Sequence, residues 1–281
     1  MIKQILKSIA ASTRLVFKRW PAALLLLLID GALAAATYLF FSTREATVGQ
    51  VLLSLMLPLL AVMLFFVLQT MIARLGSEAN TPRLIAESLR DFWKLILISI
   101  PIIAVAWLII YVAGRIEESF TPAVQQATRT LPAKPRNPVR PAGSSVPWQV
   151  TLTTTVKYVL LLVAIPLAAV HLWLRTAREG LKIAVKTSGR LLGHAFGARS
   201  VLVYALGFVV FGVLPYFLLF TRTPANNAWV EAGFLGARLL IAGLLSLIGW
   251  AITVCALGDL RAETSTADEL HQGTEHAPVA T

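Results

Sequence analysis

Apolar residues gather in six long stretches, at 21–41, 48–72, 95–113, 151–174, 200–220 and 232–257. Each holds about the 20 residues that a helix rising 1.5 Å per residue needs to cross a hydrocarbon core of about 30 Å. The predicted fold class is therefore all-α, a polytopic membrane protein with six transmembrane helices. A second pattern lies between the stretches: residues 12–18 read STRLVFK, 88–94 read SLRDFWK and 188–194 read SGRLLGH. With Ser12, Ser88 and Ser188 aligned, Ile9, Ile85 and Val185 stand three residues before, and Val16, Phe92 and Leu192 four after. Positions seven apart share a helical face, so each copy keeps an apolar stripe. Arg14 and Lys18, Arg90 and Lys94, and Arg190 and His194 occupy i and i+4 positions of a polar stripe. The pattern predicts three amphipathic helices with a cationic face. Such helices lie in the headgroup plane with their bases toward anionic lipid, where each base contributes roughly 1 kcal/mol.

The flanking residues extend the repeat. Thr81 and Pro82 suit an N-cap and a first helical position for the second basic helix. Pro58 opens PLLAV and Pro166 opens PLAAV, each near the middle of a span, and Gly249 takes the proline's place in the last span. Downstream, ARLG at 73–76 matches AREG at 177–180. The expected organisation is one membrane domain over 1–258, built from three tandem units at 1–72, 73–174 and 175–258. Each unit is a surface helix followed by a two-span hairpin, so all three share one orientation and arrange around a pseudo-threefold axis along the membrane normal. Unit two includes an external connection, 114–150, with six prolines in 121–147. A spacer is the favoured reading of that loop, and a docking strand for a periplasmic partner the sharper one. Residues 259–281 are polar and acidic and are expected to be a disordered tail.

Composition agrees: 57% of the 281 residues are hydrophobic and 14% charged, against roughly 25% charged in soluble domains. The net charge of +11 could suggest nucleic acid, but the charges are placed as a membrane protein places them. Lys and Arg number five in 1–20, four in 73–94, six in 175–199 and one in 257–281. The alternate connections carry one in 42–47, five in 114–150 and one in 221–231. Sixteen against seven puts both termini and the basic segments in the cytoplasm of a bacterial inner membrane. Residues 1–36 resemble a signal peptide, yet Asp30 interrupts the apolar run and TYLFF prolongs it, so a retained first span is favoured. Cys255, the single cysteine, reads as a packing residue.

Polar residues inside the spans are few. Asp30 lies about ten positions into the first, where an ionised carboxylate costs at least about 2.5 kcal/mol. A transport site and a packing role remain open for it, with Pro58 and Pro166 as the associated kinks. Lys157 and Arg238 are expected to snorkel, His171 to be interfacial, and Gln50 and Gln69 to cap span ends. Gly189, Gly193 and Gly197 form a small-residue seam suited to close helix packing. No metal-ligand, nucleophile or paired-carboxylate signature occurs, so neither an enzyme nor a cofactor nor a metal is expected.

The plan, with SLRDFWK, SGRLLGH and the proline-kinked spans, resembles the six-span bacterial membrane domain found attached to glycerophosphodiester phosphodiesterases, and its free-standing relatives. The resemblance covers 1–258 and includes no phosphodiesterase domain, so it implies an association with envelope lipid or a partner protein and not that activity. The expected function is an accessory or scaffold protein whose basic collar holds anionic lipid or a partner. The residues expected to carry it are Arg14, Lys18, Arg90, Lys94, Arg190 and His194. The alternative is a transporter of small solutes or lipid that uses Asp30.

Overall fold

A computed structural model of the chain describes residues 2–43, 47–76, 80–120, 148–221 and 227–275, without the side chains of Arg190 and 261–275. The regular structure among them is helical throughout. Helix α1 is Ile2–Lys18, α2 Trp20–Ser42, α3 Val48–Arg74 and α4 Thr81–Phe120. Helix α5 is Trp148–Glu179, followed by the short α6, Leu181–Lys186, and α7, Ser188–Ala195. Helix α8 is Ala198–Phe220 and α9 is Ala228–Glu275. Six of these, α2, α3, α4, α5, α8 and α9, are long and apolar enough to cross a membrane. The chain is a multi-pass, all-helical membrane protein.

The three basic segments are not built alike, and local chemistry explains the difference. Between α1 and α2 the chain leaves helical backbone at Arg19, and Pro21 sits in the first turn of α2, where its missing N–H and fixed φ are tolerated. After Pro82 in its first turn, the second segment meets neither proline nor glycine before Leu95, so it runs without interruption into the span as the first turns of the 40-residue α4. That helix begins at Thr81, with Asn80 accepting its first backbone bond, one residue ahead of the expected cap. The third segment is split into α6 and α7 at Thr187, then stops before Gly197.

Prolines shape the spans as well. Pro58 lies inside α3 and Pro101 inside α4. In α5 a π-helical turn, Leu160–Ala164, immediately precedes the residues around Pro166, and in α8 another, Val209–Val213, precedes Pro215. A proline lacks the N–H and pushes against the carbonyl four residues back, and widening the turn relieves that clash. For Pro215 the released carbonyl is Phe211 O, and Ser246 Oγ of α9 donates to it at 3.0 Å.

Gly180, between α5 and α6, has φ 92° and ψ 163°, a region that is essentially glycine's alone. Gly180→Ala is expected to lower stability by about 1–3 kcal/mol in detergent unfolding. Gly180→Asn should fare no better, since asparagine's tolerance is for the left-handed helical region.

The helices divide into two compact units: Met1–Ser99 with Leu167–Thr281, and Ile100–Pro166. In the first, the most deeply buried side chains lie where the spans meet the basic segments: Met71, Ile72 and Leu75, Leu84 and Leu95, Leu167 and Leu174, and Leu257. Elsewhere the spans expose large apolar residues such as Leu28, Phe41, Leu59, Phe217 and Leu240. Hydrocarbon tails solvate such faces as well as leucine does.

In the second unit Lys157 does not simply snorkel. Its ammonium lies 2.7 Å from Glu117 Oε1, which also accepts from Thr154 Oγ1 at 2.9 Å. Helix α9 continues to Glu275, into the stretch expected to be a tail. Residues 259–275 carry Ala, Glu, Leu and Gln with no proline, and a helix already nucleated by a span propagates readily through them. The proline-rich stretch 121–147 and residues 276–281 lie outside the described residues.

Candidate functional site

A polar layer runs through the first unit at the level of its best-buried core. Arg74, in the last turn of α3, donates through its two terminal nitrogens to Glu87 and Asp91, one turn apart on α4. Lys94 completes the cluster, its Nζ 2.6 Å from Asp91 Oδ1. Asp91 is 6% exposed and Arg74 14%. Removing two such groups from water is tolerated because both terminal nitrogens of Arg74 and both oxygens of Asp91 find a charged partner.

Beside this network, two other arginines close the end of α3. Arg19 Nη1 donates to Leu75 O at 2.8 Å, and Arg178 Nε to Ala73 O at 3.4 Å. The last carbonyls of a helix lack intrahelical donors and carry the negative end of its dipole, so guanidinium groups belong there. The Arg178 side chain fits because Gly76 and Gly258 carry no Cβ; one built there would sit 3.2 Å and 2.6 Å from its Nη2.

Gly76 and Gly258 each follow the same kind of short sequence at the end of a span. Ala73-Arg74-Leu75-Gly76 and Ala177-Arg178-Glu179-Gly180 have a counterpart in Cys255-Ala256-Leu257-Gly258. The first residue of each, Ala73, Ala177 or Cys255, is buried. Ala256 stands where the other two have Arg74 and Arg178. Its helix then continues, and Asp259 accepts from Ser12 Oγ of α1 at 3.1 Å while Ser8 Oγ reaches Ala256 O at 3.1 Å.

Two tryptophans tie the spans together at the same level. Trp250 Nε1 donates to Gln69 Oε1 and Trp173 Nε1 to Ser99 Oγ, both at 2.8 Å. The Trp173 ring also packs edge-on against Phe65 and Phe66. Gln69 is thus a buried tie between helices and not an end cap, and His171 is buried as well. Gln50 does serve at a helix start, its backbone N–H bonding to the Thr47 hydroxyl. Arg238 donates to Thr221 O, at the end of α8.

The predicted site residues are distributed unevenly over this layer. Arg14, Lys18, Arg90 and His194 are exposed, whereas Lys94 is drawn inward to Asp91. Arg190 stands in α7 with its side chain outside the described residues. Pro58 and Pro166 lie at half-buried positions in α3 and α5. Asp30 is half-buried in α2. The aligned serines also diverge. Ser12 is fully buried and bonded to Asp259. Ser88 is fully buried with no hydrogen-bond partner among the described residues. Ser188 is half-exposed.

The glycine seam is not where it was expected: nothing lies within 4 Å of a Cβ built on Gly189 or Gly193, and at Gly197 only His194 O does. Close helix approach occurs instead between α8 and α9, at Gly207 against Thr253 and at Gly249 against Phe211. Among the described residues no group of three or more His, Cys, Asp or Glu is placed to hold a metal ion.

No family model, curated protein or solved structure matches this chain.

Proposed function

We propose that the protein is a non-enzymatic accessory or scaffold protein of the bacterial inner membrane, with both termini cytoplasmic, that holds anionic lipid or a partner protein against a basic collar. The observation that carries this reading is a division of labour among its cations. Arg19, Arg74, Arg178 and Lys94 face inward, bonded to carbonyls or carboxylates. Arg14, Lys18, Arg90 and His194 face outward on the amphipathic segments. The inner set braces the end of the bundle, and the outer set is left to meet an anionic surface.

On this reading the chain is a triplicated unit related to the phosphodiesterase-associated membrane domains. The gathering of Gly76 and Gly258 about Arg178 supports common descent of the three hairpin ends.

The test is neutralisation of the outer set. Arg14→Gln, Arg90→Gln and Arg190→Gln together should reduce phosphatidylglycerol retained by the detergent-purified protein, relative to phosphatidylcholine, by ten-fold or more. That follows from roughly 1 kcal/mol per surface base. Unchanged lipid retention, together with an unchanged set of co-purifying proteins, would refute the collar. The transport alternative rests on Asp30, which no hydrogen bond or ion pair reaches among the described residues. It requires Asp30→Asn to alter flux into reconstituted vesicles.

A further inference from the structure

An apolar cavity of about 410 Å³ opens between α1, α8 and α9. Its walls include Leu6 and Ile9 from α1, Val203, Leu206 and Val210 from α8, and Ile252 from α9. Two hydroxyls also line it, from Thr13 and Thr253, yet neither is offered to a ligand. Thr13 Oγ1 donates to Ile9 O at 2.8 Å and Thr253 Oγ1 to Gly249 O at 2.7 Å, each back onto its own helix. What remains is a hydrocarbon wall, which binds apolar groups and not water.

The volume falls toward the lower end of the roughly 300–1,000 Å³ of ligand sites, enough for one chain and too little for a whole phospholipid. One helical turn before Val203, on the same face of α8, stands the exposed Arg199. A cation therefore stands one helical turn along from the apolar slot.

We infer that this groove seats one acyl chain of an anionic phospholipid, with Arg199 meeting the headgroup phosphate. The charge of Arg199 selects an anion, and the absence of any polar group aimed inward selects an alkyl chain. The inference deepens the lipid-binding reading above by naming a site and a ligand class. It differs from that reading in where the lipid binds, since the groove uses neither Arg90 nor Arg190.

The experiment places the full-length protein in vesicles containing phosphatidylglycerol with a photoactivatable acyl chain. After irradiation, label is mapped by mass spectrometry. Label should concentrate in peptides covering 6–13, 203–210 and 249–253, several-fold above the exposed faces of α2. Leu206→Trp, which fills the groove from a half-exposed position, should abolish that excess while leaving α2 labelling unchanged. Arg199→Gln should reduce the preference for phosphatidylglycerol over phosphatidylcholine roughly five-fold, the contribution of one surface base.

Even labelling over all spans, or an excess that survives Leu206→Trp, would overturn the site. Equal labelling by phosphatidylcholine would overturn the anionic headgroup. The variant lacking Arg14, Arg90 and Arg190 separates the two readings: groove labelling that persists while bulk phosphatidylglycerol retention and the set of co-purifying proteins both stay as in the wild type refutes the collar and supports the groove.

Discussion

Replacing Arg74 with methionine is expected to destabilise the protein by about 3 kcal/mol, the lower end of the range for removing one partner from a buried ion pair. Arg74 is the one cation bonded to both Glu87 and Asp91 among the described residues, and Asp91 is the more buried of the two carboxylates. Without the guanidinium, Asp91 retains Lys94 at 2.6 Å and Arg90 at 3.6 Å. That places the loss at the lower end of the range, because the carboxylate is weakened and not abandoned. Glu87 is more exposed and can turn toward water. Unfolding in mixed detergent reads the change, followed by either helicity or Trp173 fluorescence.

The sharper result comes from restoring neutrality. Arg74→Met combined with Glu87→Gln and Asp91→Asn should recover more than half the loss, since no buried carboxylate is left stranded and Lys94, 28% exposed, can turn to water. If the triple variant were instead the sum of three separate losses, the network would not be acting as a unit. Lys94→Met alone should cost less than Arg74→Met, because Arg74 still holds Asp91.

How much of this could be read in the chain beforehand depended on range. Span positions and amphipathic stripes follow from the period of the helix, so the six apolar helices and the basic faces of α1 and of the start of α4 were legible. Interactions across elements were not. Periodicity marks Lys94 as a member of a cationic stripe, but it cannot show that Asp91, three residues earlier, draws it inward. Nor can it show that Arg74, 17 residues from Asp91, supplies the countercharge. Gln69 and Trp250 are 181 positions apart, and nothing local to either suggests the other.

The glycines teach the same lesson from the opposite side. Gly189 and Gly193 have the spacing of a packing seam and pack against nothing within 4 Å, while Gly207 sits in no obvious motif and makes the closest helix contact. Spacing reports which residues share a face. Only the partner helix decides whether that face is met.

Gly207→Leu is therefore expected to be among the most damaging single changes available. A Cβ on Gly207 would lie 2.1 Å from Thr253 Oγ1, 2.7 Å from its Cγ2 and 2.9 Å from its Cβ. Turning the threonine about χ1 would move the first two atoms but not the third, so side-chain rotation alone cannot relieve the clash. The helices must separate, and α8 and α9 would lose the contacts made next to this point, including Ser246 to the Phe211 carbonyl and Gly249 against Phe211. Overpacking of this kind costs about 1–3 kcal/mol and occasionally more, and a clash with the Thr253 Cβ, which no rotation relieves, places it at or above the upper end. Gly207→Ala should be the milder form, and Thr253→Ala should rescue it in part, because it deletes two of the three clashing atoms. Thr253→Gly should remove the third contact yet add a helix penalty of about 1 kcal/mol. The expected order of stability is wild type, then the Gly207→Ala/Thr253→Ala pair, then Gly207→Ala, then Gly207→Leu. Unfolding midpoints in mixed detergent give that order directly, and a Gly207→Leu protein as stable as wild type would mean that α8 and α9 do not approach at this glycine.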